Sequence, residues 1–113
     1  MNETEKSNPI QEIRYFSLKN QGGFTVKIGC KYAGETRAEE ESSNILLGQT
    51  KTMDIGEMKV PGGSIVRLHA NVKSGKDKTA KQEFIYQSTS NATASYVISG
   101  TTLDNELGFL EVK

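Results

Sequence analysis

The sequence predicts an all-β fold, a single antiparallel β-sandwich of jelly-roll or Ig-like type with about eight short strands, and three observations carry that prediction. Apolar and polar residues alternate with a period of two over Phe24 to Tyr32 and again over Ile65 to Lys73. Clusters containing Gly or Asn interrupt the chain at short intervals throughout. No segment carries the apolar stripe of an amphipathic helix. The best candidate, Glu35 to Ser43, is only nine residues long and has nothing apolar to bury, so it reads as a loop with a charge cluster. A chain of 113 residues suffices for one domain and not for two. The expected division is a flexible N-terminal arm over 1–9, polar throughout, and a β-sandwich domain over 10–113.

The elements follow from the alternation. Ile13 to Lys19 sets Phe16 and Leu18 on one face and Ile13 and Tyr15 on the other, and Asn20-Gln21-Gly22-Gly23 supplies the backbone freedom of a hairpin reversal. The next strand places Phe24, Val26, Ile28, Cys30 and Tyr32 inward, antiparallel to the first. Asn44 to Gly48 and Thr50 to Ile55 read as short strands, with Met53 and Ile55 facing the core. Val60-Pro61-Gly62-Gly63 then turns the chain. Ile65 to Lys73 buries Val66, Leu68, Ala70 and Val72 and leaves Arg67, His69, Asn71 and Lys73 on the solvated face. A polar loop, Ser74 to Lys78, precedes strands at Gln82 to Gln87, Ser88 to Thr93 and Ala94 to Gly100; Leu103-Asp104-Asn105-Glu106 turns into the last, Leu107 to Val112. Ser95 to Ser99, uncharged and β-prone, reads as a central strand or an assembly edge, whereas Lys51 discourages pairing along its own strand.

Composition removes several classes of function. Lysine and arginine balance aspartate and glutamate at 14 each, so the chain lacks the basic field of a general nucleic-acid binder. The longest apolar runs, such as Ile45-Leu46-Leu47, fall far short of the roughly 20 residues a spanning helix needs, and no integral membrane protein is expected. The opening MNETEKSNP has no apolar core of a signal peptide, which points to cytoplasmic synthesis, with any release by a non-classical route. The lone cysteine, Cys30, cannot form an intrachain disulfide. The sequons at Asn2 and Asn91 are short enough to arise by chance.

Chemistry is sparse. One histidine and one cysteine cannot furnish a structural zinc site, and the alternation separates them, His69 to the surface and Cys30 to the core. Neither Asp104-Asn105-Glu106 nor Glu39-Glu40-Glu41 has the spacing of a calcium loop. Gly75-Lys76 lacks both the first glycine and the following Ser or Thr of a phosphate loop, because Ala70 and Asp77 stand there. No catalytic residue, metal or cofactor is therefore expected. The polar loops are left as binding edges, with Lys76, Asp77, Lys78, Asn91, Asp104 and Asn105 as candidate ligand-binding residues. Lysines 73, 76, 78 and 81 form a local basic patch suited to an anionic surface.

The expected function is a non-enzymatic binding module contacting a glycan, a lipid headgroup or surface, or a protein partner. A self-assembling structural subunit, a homo-oligomer built through edge strands and the N-terminal arm, is the alternative. A third reading comes from a resemblance. Leu18 to Ile28, with the later Gly-rich turn and the Val66, Leu68, Ala70, Val72 strand, resembles small sandwich toxins of the aegerolysin kind over about a tenth of the chain. The resemblance implies a small membrane-active, toxin-like protein. The chain departs from the Trp-rich membrane face common among membrane-binding cytolysins, since it has no Trp.

Overall fold

The computed structural model describes residues 10–34 and 36–113. The expected arm over 1–9 lies outside the described residues, and of the Glu39-Glu40-Glu41 run only the side chain of Glu39 lies within them. Ten strands form among the described residues: β1 (Glu12–Ile13), β2 (Tyr15–Gly22), β3 (Val26–Tyr32), β4 (Thr36–Ile45), β5 (Thr50–Asp54), β6 (Ile65–Val72), β7 (Lys78–Thr79), β8 (Phe84–Tyr86), β9 (Thr93–Gly100) and β10 (Asn105–Val112). A 3-10 turn, Ile55–Met58, follows β5, with Asp54 Oδ1 accepting from Gly56 N at 3.1 Å. The all-β expectation holds.

The strands form two sheets. One runs β10-β9-β2-β5; the other runs β1-β8-β6-β3-β4, with β7 paired to β6. Both sheets are mixed, which corrects the expectation of antiparallel pairing throughout. β2 lies parallel to β9, Tyr15 opposite Thr93 through Gly22 opposite Gly100, and β1 lies parallel to β8. Alternation decides which face a residue occupies and says nothing about which strand lies beside it, so these distant parallel pairs leave no local mark. β9 is central, flanked by β10 and β2, and β5 with Lys51 is an edge.

Inward residues of both sheets meet in one core. Phe16 and Leu18 of β2, Ile28 and Cys30 of β3, Val66, Leu68 and Ala70 of β6, and Ala94, Tyr96 and Ile98 of β9 are all fully or almost fully buried. Phe16 packs edge-on against Phe84 (6.3 Å between ring centroids) and Tyr96 (6.0 Å), which ties the four-stranded sheet to the other.

Local expectations change at four places. Asn20-Gln21-Gly22-Gly23 is a corner between sheets and not a hairpin: β2 and β3 belong to different sheets. Asn20 builds that corner. Fully buried, it donates from Nδ2 to the carbonyls of Phe24 (2.6 Å) and Ile45 (3.0 Å) and accepts from Gly22 N (2.8 Å) on Oδ1. Of the segment Glu35 to Ser43, read as a loop, the described part from Thr36 onward instead supplies most of β4; pairing with β3, Arg37 opposite Lys31 and Ala38 opposite Cys30, overrides its poor strand composition. Asn44 to Gly48 is the end of β4 followed by a turn, and Ser88 to Thr93 is turn and extended chain reaching strand only at Thr93.

Candidate functional site at one end of the sheets

Four connections gather at a single end of the molecule because the strands leading into them run in register. The corner after β2, the β4–β5 turn, the β6–β7 loop and the β9–β10 loop are cross-linked through backbone: Gly48 N donates to Asn20 O (2.7 Å), Gly23 N to Gly100 O (3.0 Å), Lys73 N to Thr25 O (2.9 Å) and Lys76 N to Thr102 O (2.8 Å). Asn105 adds a side-chain brace, with Nδ2 donating to Lys76 O at 3.0 Å and Thr102 O at 3.3 Å.

This end presents leucines to solvent. Leu46 and Leu47 on the β4–β5 turn are 51% and 67% exposed, and Leu103 on the β9–β10 loop is 65% exposed. Single exposed apolar side chains are ordinary, but here three stand on two loops at the same braced end. Lys73 and Lys76 stand exposed on the β6–β7 loop between them in the chain of cross-links.

Five of the six residues expected from the polar loops meet here. Lys76 and Asp77 lie in the β6–β7 loop, Lys78 begins β7, and Asp104 and Asn105 stand at the start of β10. Asn91 does not join them: it precedes β9, whereas Asn105 pairs with Gly100 at the far end of that strand. Eight strand residues, about 25 Å at strand rise, separate the two ends. Asp77 and Asn105 hold the backbone of the site, Asp77 Oδ1 accepting from Val72 N at 3.0 Å.

Asp77 also reaches the outer face of the larger sheet, where the structure corrects the surface histidine. His69 points away from the core as its alternation requires, yet it is 3% exposed. Its cross-strand neighbour is Gly29, which has no side chain, and the space is roofed by Arg37 and Asp77. Nδ1 meets Thr79 Oγ1 at 2.9 Å; Nε2 lies 3.4 Å from both Asp77 Oδ2 and Arg37 Nη1. Desolvation holds the imidazole below its usual pKa, and Arg37 adds to that while Asp77 and Glu39 oppose it. Cys30 is buried on the other side of the same sheet, and burial pushes its thiol up to about 12.

Two hollows lie on this outer face. A shallow cleft of about 760 Å³ near the opposite end is lined by Lys31, Ser64, Ile65, Arg67, Thr79 and Glu83, and the 2.7 Å ion pair between Arg67 and Glu83 crosses it. A smaller notch of about 260 Å³ at the loop end is lined by Thr25, Val26, Lys27, Asn44, Asn71 and Lys73. Sequence reasoning missed this notch: its residues come from three strands and converge only through register. Among the described residues no group of three or more His, Cys, Asp or Glu is placed to hold a metal ion.

No family model and no curated protein matches the chain. Among solved structures, the cytotoxin suilysin from Streptococcus suis is similar over 88% of this chain and 23% of its own, at 14% identity and a TM-score of 0.44. The membrane-binding domain of pneumolysin is similar over 88% of this chain and 95% of its own, at 12% identity and a TM-score of 0.43. A structure described as a trapped toxin is similar over 88% of this chain and 23% of its own, at 12% identity and a TM-score of 0.41. The chain thus spans less than a quarter of the length of suilysin.

Proposed function

We propose that this chain is a non-enzymatic binding module that docks its loop end on a lipid surface. One observation carries the reading: Leu46, Leu47 and Leu103 are solvent-exposed on loops that backbone hydrogen bonds brace at the same end. Burying a leucine side chain is worth about 1.5–3 kcal/mol, so three of them entering a headgroup boundary together supply useful affinity. The braced backbone keeps the ordering entropy of binding small. A lipid surface is favoured over a glycan or a protein because the protruding groups are aliphatic, without the aromatic platform of a sugar site.

Vesicle flotation tests the reading. The unmodified chain is expected to float with phosphatidylcholine vesicles, and a Leu46→Ser, Leu47→Ser, Leu103→Ser variant to stay behind with an unchanged melting temperature. Equal flotation of the two, or no flotation of the unmodified chain with any vesicle, would overturn it.

A further inference from the structure

We infer that the notch beside the leucine turn is a seat for the phosphate of an anionic lipid headgroup, an inference that rests on the lipid-surface reading. Register brings its lining together. Lys27 of β3 stands opposite Asn44 of β4 on one side and Asn71 of β6 on the other, and all three lie on the outer face. Thr25 and Lys73 extend the same two rows by one step, joined by the 2.9 Å bond from Lys73 N to Thr25 O. Among the described residues the result is two ammonium groups, the Asn44 amide and a hydroxyl around a volume of about 260 Å³, with the Asn71 amide already donating to Glu39.

Neither Lys27 nor Lys73 has an ion-pair partner among the described residues. The carboxylate of Glu39 is occupied: Oε2 accepts from Asn71 Nδ2 at 2.7 Å and Oε1 lies 3.7 Å from Arg37 Nε. That bond fixes Asn71 with its amide nitrogen toward Glu39. Ammonium groups, hydroxyls and amide N–H groups are the donors that phosphate oxygens accept from.

Position selects the source of the phosphate. Asn44 is two residues before Leu46, so the notch opens beside the leucines that the reading places at the headgroup boundary. A chain of zero net charge has no long-range attraction to an anionic bilayer, and a local pair of lysines within a Debye length of the surface is what would provide it.

The experiment compares vesicles of phosphatidylcholine alone with vesicles containing phosphatidic acid, alongside an NMR titration with inorganic phosphate. Phosphatidic acid is expected to strengthen binding in a salt-sensitive way. A Lys27→Ala, Lys73→Ala variant is expected to lose that gain, about 5-fold per lysine and about 30-fold for the pair, while binding phosphatidylcholine as before. A Lys59→Asn, Lys113→Ala variant, which removes the same charge at the opposite end of the sheets, is expected to keep it. Equal binding to both vesicle types, or equal losses in the two double variants, overturns the notch and leaves the lipid-surface reading standing. Absence of binding to either vesicle overturns that reading; saturable shifts of the Lys27 and Lys73 amides with inorganic phosphate would then assign a free-anion site in place of a lipid one.

Discussion

Asp77 Oδ2 lies 3.4 Å from His69 Nε2, and the other oxygen of the same carboxylate accepts the backbone N–H of Val72. One side chain therefore fastens the β6–β7 loop both to the end of its own strand and to the buried histidine. The loop is tied to β4 as well, through Arg37 at 3.6 Å from the same Oδ2.

The histidine makes stability depend on pH. Its pKa in the folded chain is lowered, chiefly by desolvation, from an unfolded value of about 6.5. Between the two values the unfolded chain binds more protons, so stability is full above about pH 6.5 and is lost as pH falls toward the folded value. Asp77→Asn removes the largest influence that raises the pKa, and the ring is expected to titrate lower still. The Cε1 proton shift of His69 against pH, in both forms, checks the sign.

Asn20→Ala should be among the most damaging single changes. It strands the buried carbonyl of Ile45, the buried amide of Gly22 and the half-buried carbonyl of Phe24. A loss of about 3 kcal/mol follows from hydrogen bonds worth roughly 1 kcal/mol each with buried partners left unmet. Urea midpoints with an unchanged m-value would establish it.

Gly29→Ala is expected to destabilise by about 1–3 kcal/mol through overpacking. The new Cβ would stand 2.6 Å from the Ala38 carbonyl oxygen and 2.9 Å from Glu39 Cγ. The carbonyl belongs to the paired strand and cannot yield without disturbing the ladder, so the melting temperature should fall.

Cys30 should be inert to thiol reagents in the native chain, because the thiolate is suppressed by burial that raises the pKa to about 12. Labelling with an aromatic disulfide is expected only at the rate of unfolding, and urea should make it immediate.

Much of the fold can be read from local pattern. The inward sets Val26, Ile28, Cys30 and Val66, Leu68, Ala70, Val72 are buried as their alternation requires, and so are Met53 and Ile55. What local pattern leaves open is partnership. β4 is rich in charge and becomes a strand through β3, and His69 is hidden by what Gly29 lacks one strand away. The same limit governs the site. Asp77 and Asn105 attract notice as loop polar residues, whereas Leu46 and Leu47 look like strand residues until Gln49 Oε1 is seen accepting the Leu46 amide in a turn. Lys27, Asn44 and Asn71 are unremarkable until three strands are aligned.

The parallel pairing of Tyr15–Gly22 with Thr93–Gly100 sets the order in which the molecule can assemble. The first long strand finds a central neighbour only after nearly the whole chain has been made. Until then its inward side chains, Phe16 and Leu18, have no completed core to enter. Only the edge strand β5 can pair with β2 earlier, and closing so long a loop to reach β9 raises the entropic barrier; high contact order means slow folding. During synthesis the early half is thus exposed to misassociation, and the later half acts as the clasp that ends that exposure.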